Sequence, residues 1–444
     1  MAMTSPTPRA DHPRPTLSVV GAEAVLIDAD TVGSGPVHLA DGRVVEAAES
    51  AHETLDATGC VVTPGLVNAH HHLLQTAFRT LPGTRGVPMA TWLPTMAAAY
   101  RAAGVDPELC GIAARAGLAE ALLCGVTTVA DHHLTWPAGA DTVGMARATA
   151  EAAAQLGARL VFVRGSAGDD PEVAAASAAG MAEALLAGQS GGVSDDGMIQ
   201  LAVGPAGVHS DSETTFRLLG EVAARFGLRR RTQSNEQVDV AVAAERYGRR
   251  PLELLEEWGW LADDVTLAHL CDVTEAEIRR LAAAGVSATH APGCDLPMGW
   301  GVAPVAALRR AGVPVGLGTS GGGSNDACHL LADARLALQV APLVGPPLSA
   351  RDALELATAG SAAGLGRAEL GHLRAGAAAD LCVWDVSGVA DAGVADPLDG
   401  LLWAAPGRRP RHVVVGGRVV VRDGALVSAD ERALVADLRV RVGR

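Results

Sequence analysis

The chain has no lysine, so every cation is an arginine. That absence excludes a Schiff-base lysine, a phosphate-loop lysine and a carboxylated lysine bridging two metal ions. Aromatic residues make up 3% of the 444 residues and charged residues 19%. Positive charge is in deficit: 35 Lys+Arg stand against 50 Asp+Glu, a formal net charge of -15. Such a surface repels phosphate backbones and anionic lipid, which excludes a general nucleic-acid or membrane-surface binder. No apolar run approaches the ~18 residues that a membrane helix needs. The seven cysteines are scattered, odd in number and without a C-x-x-C pair, which predicts buried, reduced thiols in a cytoplasmic protein. The opening stretch MAMTSPTPRADHPRP lacks an apolar core segment and reads as a disordered tail over 1–15. No G-x-G-x-x-G follows a strand and no phosphate loop occurs, which disfavours the doubly wound nucleotide folds.

What is present is 49% hydrophobic, enough for a large core. Short strand-like runs joined by Gly and Asp turns occupy both ends of the chain. At the C-terminal end, the Gly pair inside HVVVGGRVVV is a hairpin signal. Between them, about eight strand-then-helix units alternate over 61–371, which predicts a (β/α)8 TIM barrel. The two ends, 16–60 and 372–444, are expected to meet in one small β-sandwich domain. Residues 79–94, RTLPGTRGVPMATWLP, read as a long connection over the barrel mouth.

The densest chemistry is His70-His71-His72 at the end of the first barrel strand. Alternation along a strand turns His70 and His72 to one face and His71 to the other. Two imidazoles so placed form half of a metal site. His132 and His133 end the second strand, and His209 ends the fourth. His290 ends the seventh strand and reads as a hydrogen-bonded structural histidine. Trp92 and Trp300 fall on loops beside the mouth, where they either stack on a flat ring or pack into the core. Asn325-Asp326 reads as a cap for the helix that follows the eighth strand.

PGLVNAHHHLLQT resembles the first-strand motif of the amidohydrolase superfamily, in its branch of triazine hydrolases and guanine or 8-oxoguanine deaminases. GVTTVADHHL, TLAHL, DLPMGWGVAPV, GLGTSGGGSND and GHLRAGAAADL match it in order along nearly the whole chain. The resemblance implies a TIM barrel with a terminal β-sandwich. It implies one divalent metal, zinc or iron, held by the strand-one histidines, a histidine ending strand five and often an aspartate ending strand eight. His70, His72 and His269 are the metal-site positions that it carries over. Glu236 matches the proton-shuttling glutamate, and His269 the assisting strand-six histidine. Gln75 matches a residue that hydrogen-bonds the heterocycle, or is simply a polar residue at a helix start.

Two positions depart from that pattern. The strand-five ligand position holds Gln233, in Arg231-Thr232-Gln233-Ser234-Asn235-Glu236, and the strand-eight aspartate position holds Ser320. A carboxamide oxygen is a poor substitute for an imidazole on zinc. Arg231, if buried, needs a carboxylate, for which Glu236 and Asp239 are the candidates. The expected activity is hydrolytic deamination or displacement at a ring carbon of a purine, pterin or triazine-like heterocycle. Glu236, His269 and Ser320 are the expected catalytic residues; Gln75, Gln233, His209, Trp92 and Trp300 are expected to bind the substrate. Two alternatives stay open: a metal-independent cyclase, lyase or unusual hydrolase, and a non-catalytic heterocycle-binding protein. The resemblance also implies a homodimer.

Overall fold

A computed structural model describes residues 16–47, 51–186, 189 and 191–443. The tail expected over 1–15 lies outside them. The core of the molecule is a parallel barrel. Its strands are β1 (Leu66–His72), β2 (Val126–His133), β3 (Arg159–Ser166), β4 (Ile199–Pro205), β5 (Arg229–Ser234), β6 (Val265–His269), β7 (Ser287–His290) and β8 (Val315–Leu317). Each pairs in parallel with its neighbour in chain order. Just beyond β8, Ser320–Gly321 pairs with His71 and His72 of β1 and closes the cylinder. Helices follow the strands outside the barrel, so the strands are covered on both faces. β2 and β3 accordingly show no exposed residue along their length.

The helices start and stop where local chemistry dictates. Asp106 caps Pro107–Leu123 by accepting from the Leu109 N–H, and Thr274 with Glu277 forms a capping box for Glu275–Ala284. DVAVAAERYGRRPLELLEEW forms two helices, Gln237–Tyr247 and Pro251–Glu257, because Pro251 cannot donate to a continuing helical ladder. Gly204 on β4 is fixed by space: a Cβ there would lie 1.4 Å from the Arg231 carbonyl oxygen on β5.

The two ends of the chain build the second unit. A four-stranded sheet runs in the order Arg43–Val45, Val37–Ala40, Leu17–Val20, Glu53–Asp56. A seven-stranded sheet combines Ala24–Leu26, Val32–Gly33 and Cys60–Pro64 with Leu381–Asp385, His412–Val415, Arg418–Arg422 and Ala425–Leu426. Leu17, Leu39, Leu55, Val62, Leu381 and Val414 share one buried cluster between these strands. The hairpin at Gly416-Gly417 has φ of 55° and 78°, the twist that suits a two-residue turn. The VVTP of VVTPGLVNAH lies in this sheet, and the barrel begins at Leu66. A buried bidentate pair, Arg159 on β3 with Asp380, ties the two units together at 2.6 and 2.9 Å.

Candidate active site

The C-terminal ends of the barrel strands open into a cavity of about 840 Å³, lined among others by Gln75, Trp92, His209, Gln233, Trp300 and Ser320. Four residues at these strand ends hold left-handed backbone although none is glycine: Asn235 (φ 57°), His269 (φ 76°), Leu270 (φ 53°) and Ser320 (φ 54°). Such conformations cost of order 1–3 kcal/mol each and persist where the surroundings impose them, often at functional sites.

β1 brings its histidines into the barrel as alternation requires. The rings of His70 and His72 meet edge to face at 4.9 Å between centroids, while His71 turns aside to bond Thr319 Oγ1 at 2.9 Å. His72 Nδ1–H donates to the His132 carbonyl (2.6 Å), and His132 Nε2–H donates to the Gly204 carbonyl (2.9 Å). His132 therefore orients His72 and packs 5.7 Å from His70. Burial pushes the pKa of His72 down to about 4, and burial together with the neighbouring rings pushes that of His70 well below the ordinary histidine value. Both imidazoles are neutral at pH 7. His70 Nε2 is buried without a hydrogen-bond partner.

The strand-five side of the site is wired differently. Gln233 Nε2 donates to the Ala206 carbonyl (3.2 Å), which turns Oε1 toward His269. His269 Nε2–H donates to that Oε1 at 3.0 Å, and Nδ1 lies 2.6 Å from Asp295 Oδ1. Burial opposes a charge on His269, but Asp295 and Glu236 outweigh it and raise the pKa, which favours the imidazolium. Glu236 Oε1 lies 3.6 Å from His269 Nε2, and neither carboxylate oxygen of Glu236 has a hydrogen-bond partner. Burial raises the pKa of Glu236 against the pull of His269.

Arg231 is buried and has no carboxylate partner among the described residues, contrary to the expectation from its sequence. Its guanidinium donates to the carbonyls of Ala69 and, at 3.5 Å, Gly364. The two candidate carboxylates are committed elsewhere: Glu236 faces His269, and Asp239 accepts from His209 (3.1 Å) and from the Asn235 N–H (2.9 Å). Burial lowers the Arg231 pKa to about 9, still above neutrality.

Gln75 sits in a 3-10 turn, Leu73–Phe78, under the loop Gly321-Gly322-Gly323; a Cβ on Gly322 would lie 2.2 Å from the Gln75 carbonyl oxygen. Trp92 is on a helix, Met89–Ala103, and not on a loop; its Nε1–H donates to the Gly323 carbonyl at 2.8 Å. The 79–94 connection therefore ends in a helix that walls the cavity. Trp300 meets His269 edge-on at 5.1 Å. Asn325-Asp326 does not cap the next helix, whose cap is His329. Asp326 instead accepts from the Gly323 and Thr80 N–H groups, and Asn325 donates to the Thr319 carbonyl. His290 Nδ1 lies 3.8 Å from Asp295 Oδ2 and has no hydrogen-bond partner. Sequence reasoning missed Asp295 and Cys294, which sit beside the site on the short helix Pro292–Asp295. The only signal was the run HAPGCD after β7.

The Amidohydrolase family model matches residues 61–420. The chain belongs to the amidohydrolase family. It is 35% identical over 427 residues to the 8-oxoguanine deaminase of Pseudomonas aeruginosa, covering 91% of this chain and 93% of that one. It is 33% identical to the 5-methylthioadenosine/S-adenosylhomocysteine deaminase of Halobacterium salinarum, covering 94% and 95%. Among solved structures it is similar to the zinc complex of the atrazine chlorohydrolase of Arthrobacter aurescens TC1 (TM-score 0.89, 34% identity, covering 96% of this chain and 100% of that one).

That chlorohydrolase is complexed with zinc. A catalytic zinc takes about three protein ligands plus a water. His70 and His72 fit: one Nε2 is unpartnered, and the other ring has its Nδ1–H directed away to His132. The other positions do not. Gln233 Oε1 and His269 Nε2 are bonded to each other. Among the described residues, the one group of three His, Cys, Asp or Glu donor atoms all within 4.8 Å of one another is His269, Cys294 and Asp295, and two of those are already a hydrogen-bonded pair. The donor set does not fit a resident catalytic zinc.

Proposed function

We propose that this amidohydrolase hydrolyses a small flat nitrogen heterocycle, purine-, pterin- or triazine-like, displacing an amino or other leaving group at a ring carbon. The observation that carries the reading is the approach of Glu236 to His269, 3.6 Å apart, in the barrel that lines an 840 Å³ cavity with Trp92 and Trp300 in its wall. Water attacks the ring carbon; Glu236 takes its proton and returns it to the departing group, so water and substrate become hydroxylated ring and protonated leaving group. The His269 imidazolium, backed by Asp295, steadies negative charge that develops on the ring. Gln75 and His209 bind the ring edge, Gln233 orients His269 beside it, Trp92 and Trp300 flank its faces, and Ser320 holds the opposite wall. His70 and His72 would hold a divalent ion, zinc or iron, between them if one is taken up.

The catalytic unit in this reading is the barrel over 66–371, with the terminal segments as its β-sandwich, in a cytoplasmic homodimer without nucleic-acid or membrane partners. The net charge of -15 supports the last point, and among the described residues no helix is long and apolar enough to cross a membrane. Gln233 favours a second reading, a metal-independent cyclase, lyase or unusual hydrolase on the same scaffold.

The test is a panel of purines, pterins and triazines followed by ultraviolet absorbance and ammonia release. Turnover that disappears in Glu236→Gln, with binding retained, supports hydrolysis. Tight binding of a heterocycle without turnover by the wild type points to a binding protein and overturns it.

A further inference from the structure

Arg231 and Gln233 stand two residues apart on β5 and so share a side of the strand. Arg231 reaches the backbone beside His70, and Gln233 engages His269. Gln233 has its carboxamide spent at both ends, on the Ala206 carbonyl and on His269 Nε2. For that side chain to reach a metal, the bond to His269 must open, and a buried N–H is left without an acceptor. Arg231 adds a charge. Its guanidinium donates to the carbonyl of Ala69, the residue next to His70, and forms no ion pair among the described residues. An uncompensated buried cation at that place repels a dication far more than it would in water.

We propose that this chain does not retain a divalent metal at His70 and His72, because Gln233 withdraws a ligand and Arg231 supplies an opposing charge from the same strand. The imidazole pair remains, while the affinity that would keep an ion resident is lost.

The probe is zinc alone, with the full chain expressed in zinc-supplemented medium and purified without chelator. Metal content is measured after dialysis, and affinity by competition with a chromophoric chelator. Cobalt(II) absorption then reports the coordination geometry. The wild type is expected to hold far less than one zinc per chain. Gln233→His is expected to bind zinc about 100-fold more tightly or better, since even outer-sphere losses cost roughly 10–100-fold. Adding Arg231→Met to it is expected to increase affinity again and give a tetrahedral cobalt spectrum.

A wild type that keeps one zinc through dialysis overturns the proposal. So does a folded Gln233→His variant with wild-type affinity. If Gln233→His does not fold, the metal content of the wild type and the affinity of Arg231→Met decide. Activity is read separately. Heterocycle turnover that survives chelation leaves both this proposal and the hydrolase reading standing, and turnover absent with and without zinc removes only the hydrolase reading.

Discussion

Replacing Asp295 by asparagine isolates the charge that raises the His269 pKa. Asp295 Oδ1 lies 2.6 Å from His269 Nδ1, and both side chains have 0% exposure. Asparagine keeps the shape and an oxygen acceptor but removes the negative charge. Breaking a buried charged pair from one side costs about 3–5 kcal/mol. Here the ring can escape part of that cost by losing its proton. The sign follows from the raised pKa of His269: its contribution to stability is present below the ordinary histidine pKa and is lost as pH rises through the folded one. The stability gap between wild type and variant is therefore widest in mild acid and narrows toward alkaline pH. In the rate, the variant loses part of the positive charge that steadies the ring as it becomes negative, which is worth about 10²–10³-fold. The alkaline limb of kcat/KM moves to lower pH, and acid partly restores activity. The assays are pH–rate profiles, histidine 15N NMR and urea unfolding at two pH values. An unmoved alkaline limb, with kcat within about threefold of wild type, would show that His269 does not steady the developing charge, because such an effect is far below that of a preorganised donor.

Glu236→Gln should abolish turnover, by about 10²–10⁴-fold or more, while leaving ligand affinity within a few-fold, as measured by inhibitor titration. Since burial raises the Glu236 pKa, the acid limb of kcat/KM in the wild type should lie above the ordinary carboxylate range; a limb at or below that range would show that another group titrates. Gln75→Ala should raise KM about tenfold with little change in kcat, the cost of one hydrogen bond to the ring; an effect on kcat alone would move Gln75 from binding to chemistry. Asp380→Ala strands the buried Arg159 between barrel and sandwich and should destabilise the protein by about 3–5 kcal/mol, read by chemical denaturation. Gly204→Ala places a methyl 1.4 Å from a carbonyl oxygen and should prevent soluble expression.

The barrel was legible because its strands are buried on both faces and read as unbroken apolar runs ending in polar residues, as in VTTVADHH. The same local rule, alternation along a strand, placed His70 and His72 together and His71 apart. What was not legible depends on contacts between distant segments. Nothing near Arg231 in the chain announces that its guanidinium goes to the carbonyls of Ala69 and Gly364, so a carboxylate partner was the natural expectation. Nothing near His269 announces Asp295, 26 residues away, or Gln233, 36 residues away, yet those two partners engage both ring nitrogens, so the ring is not a free ligand. The loss of an imidazole at 233 can be read from sequence, but its consequence cannot. A glutamine facing an open cavity would still offer its oxygen to an ion. A glutamine bonded to His269 and to a main-chain carbonyl offers nothing, and it fixes His269 in the orientation that an acid at the ring would need. The substitution thus does two things at once: it removes a ligand and it positions an acid. For that reason the metal affinity of Gln233→His and the pH profile of Asp295→Asn are expected to be linked. Restoring the imidazole at 233 breaks the His269 bond, so the variant that gains zinc should also lose the wild-type alkaline limb.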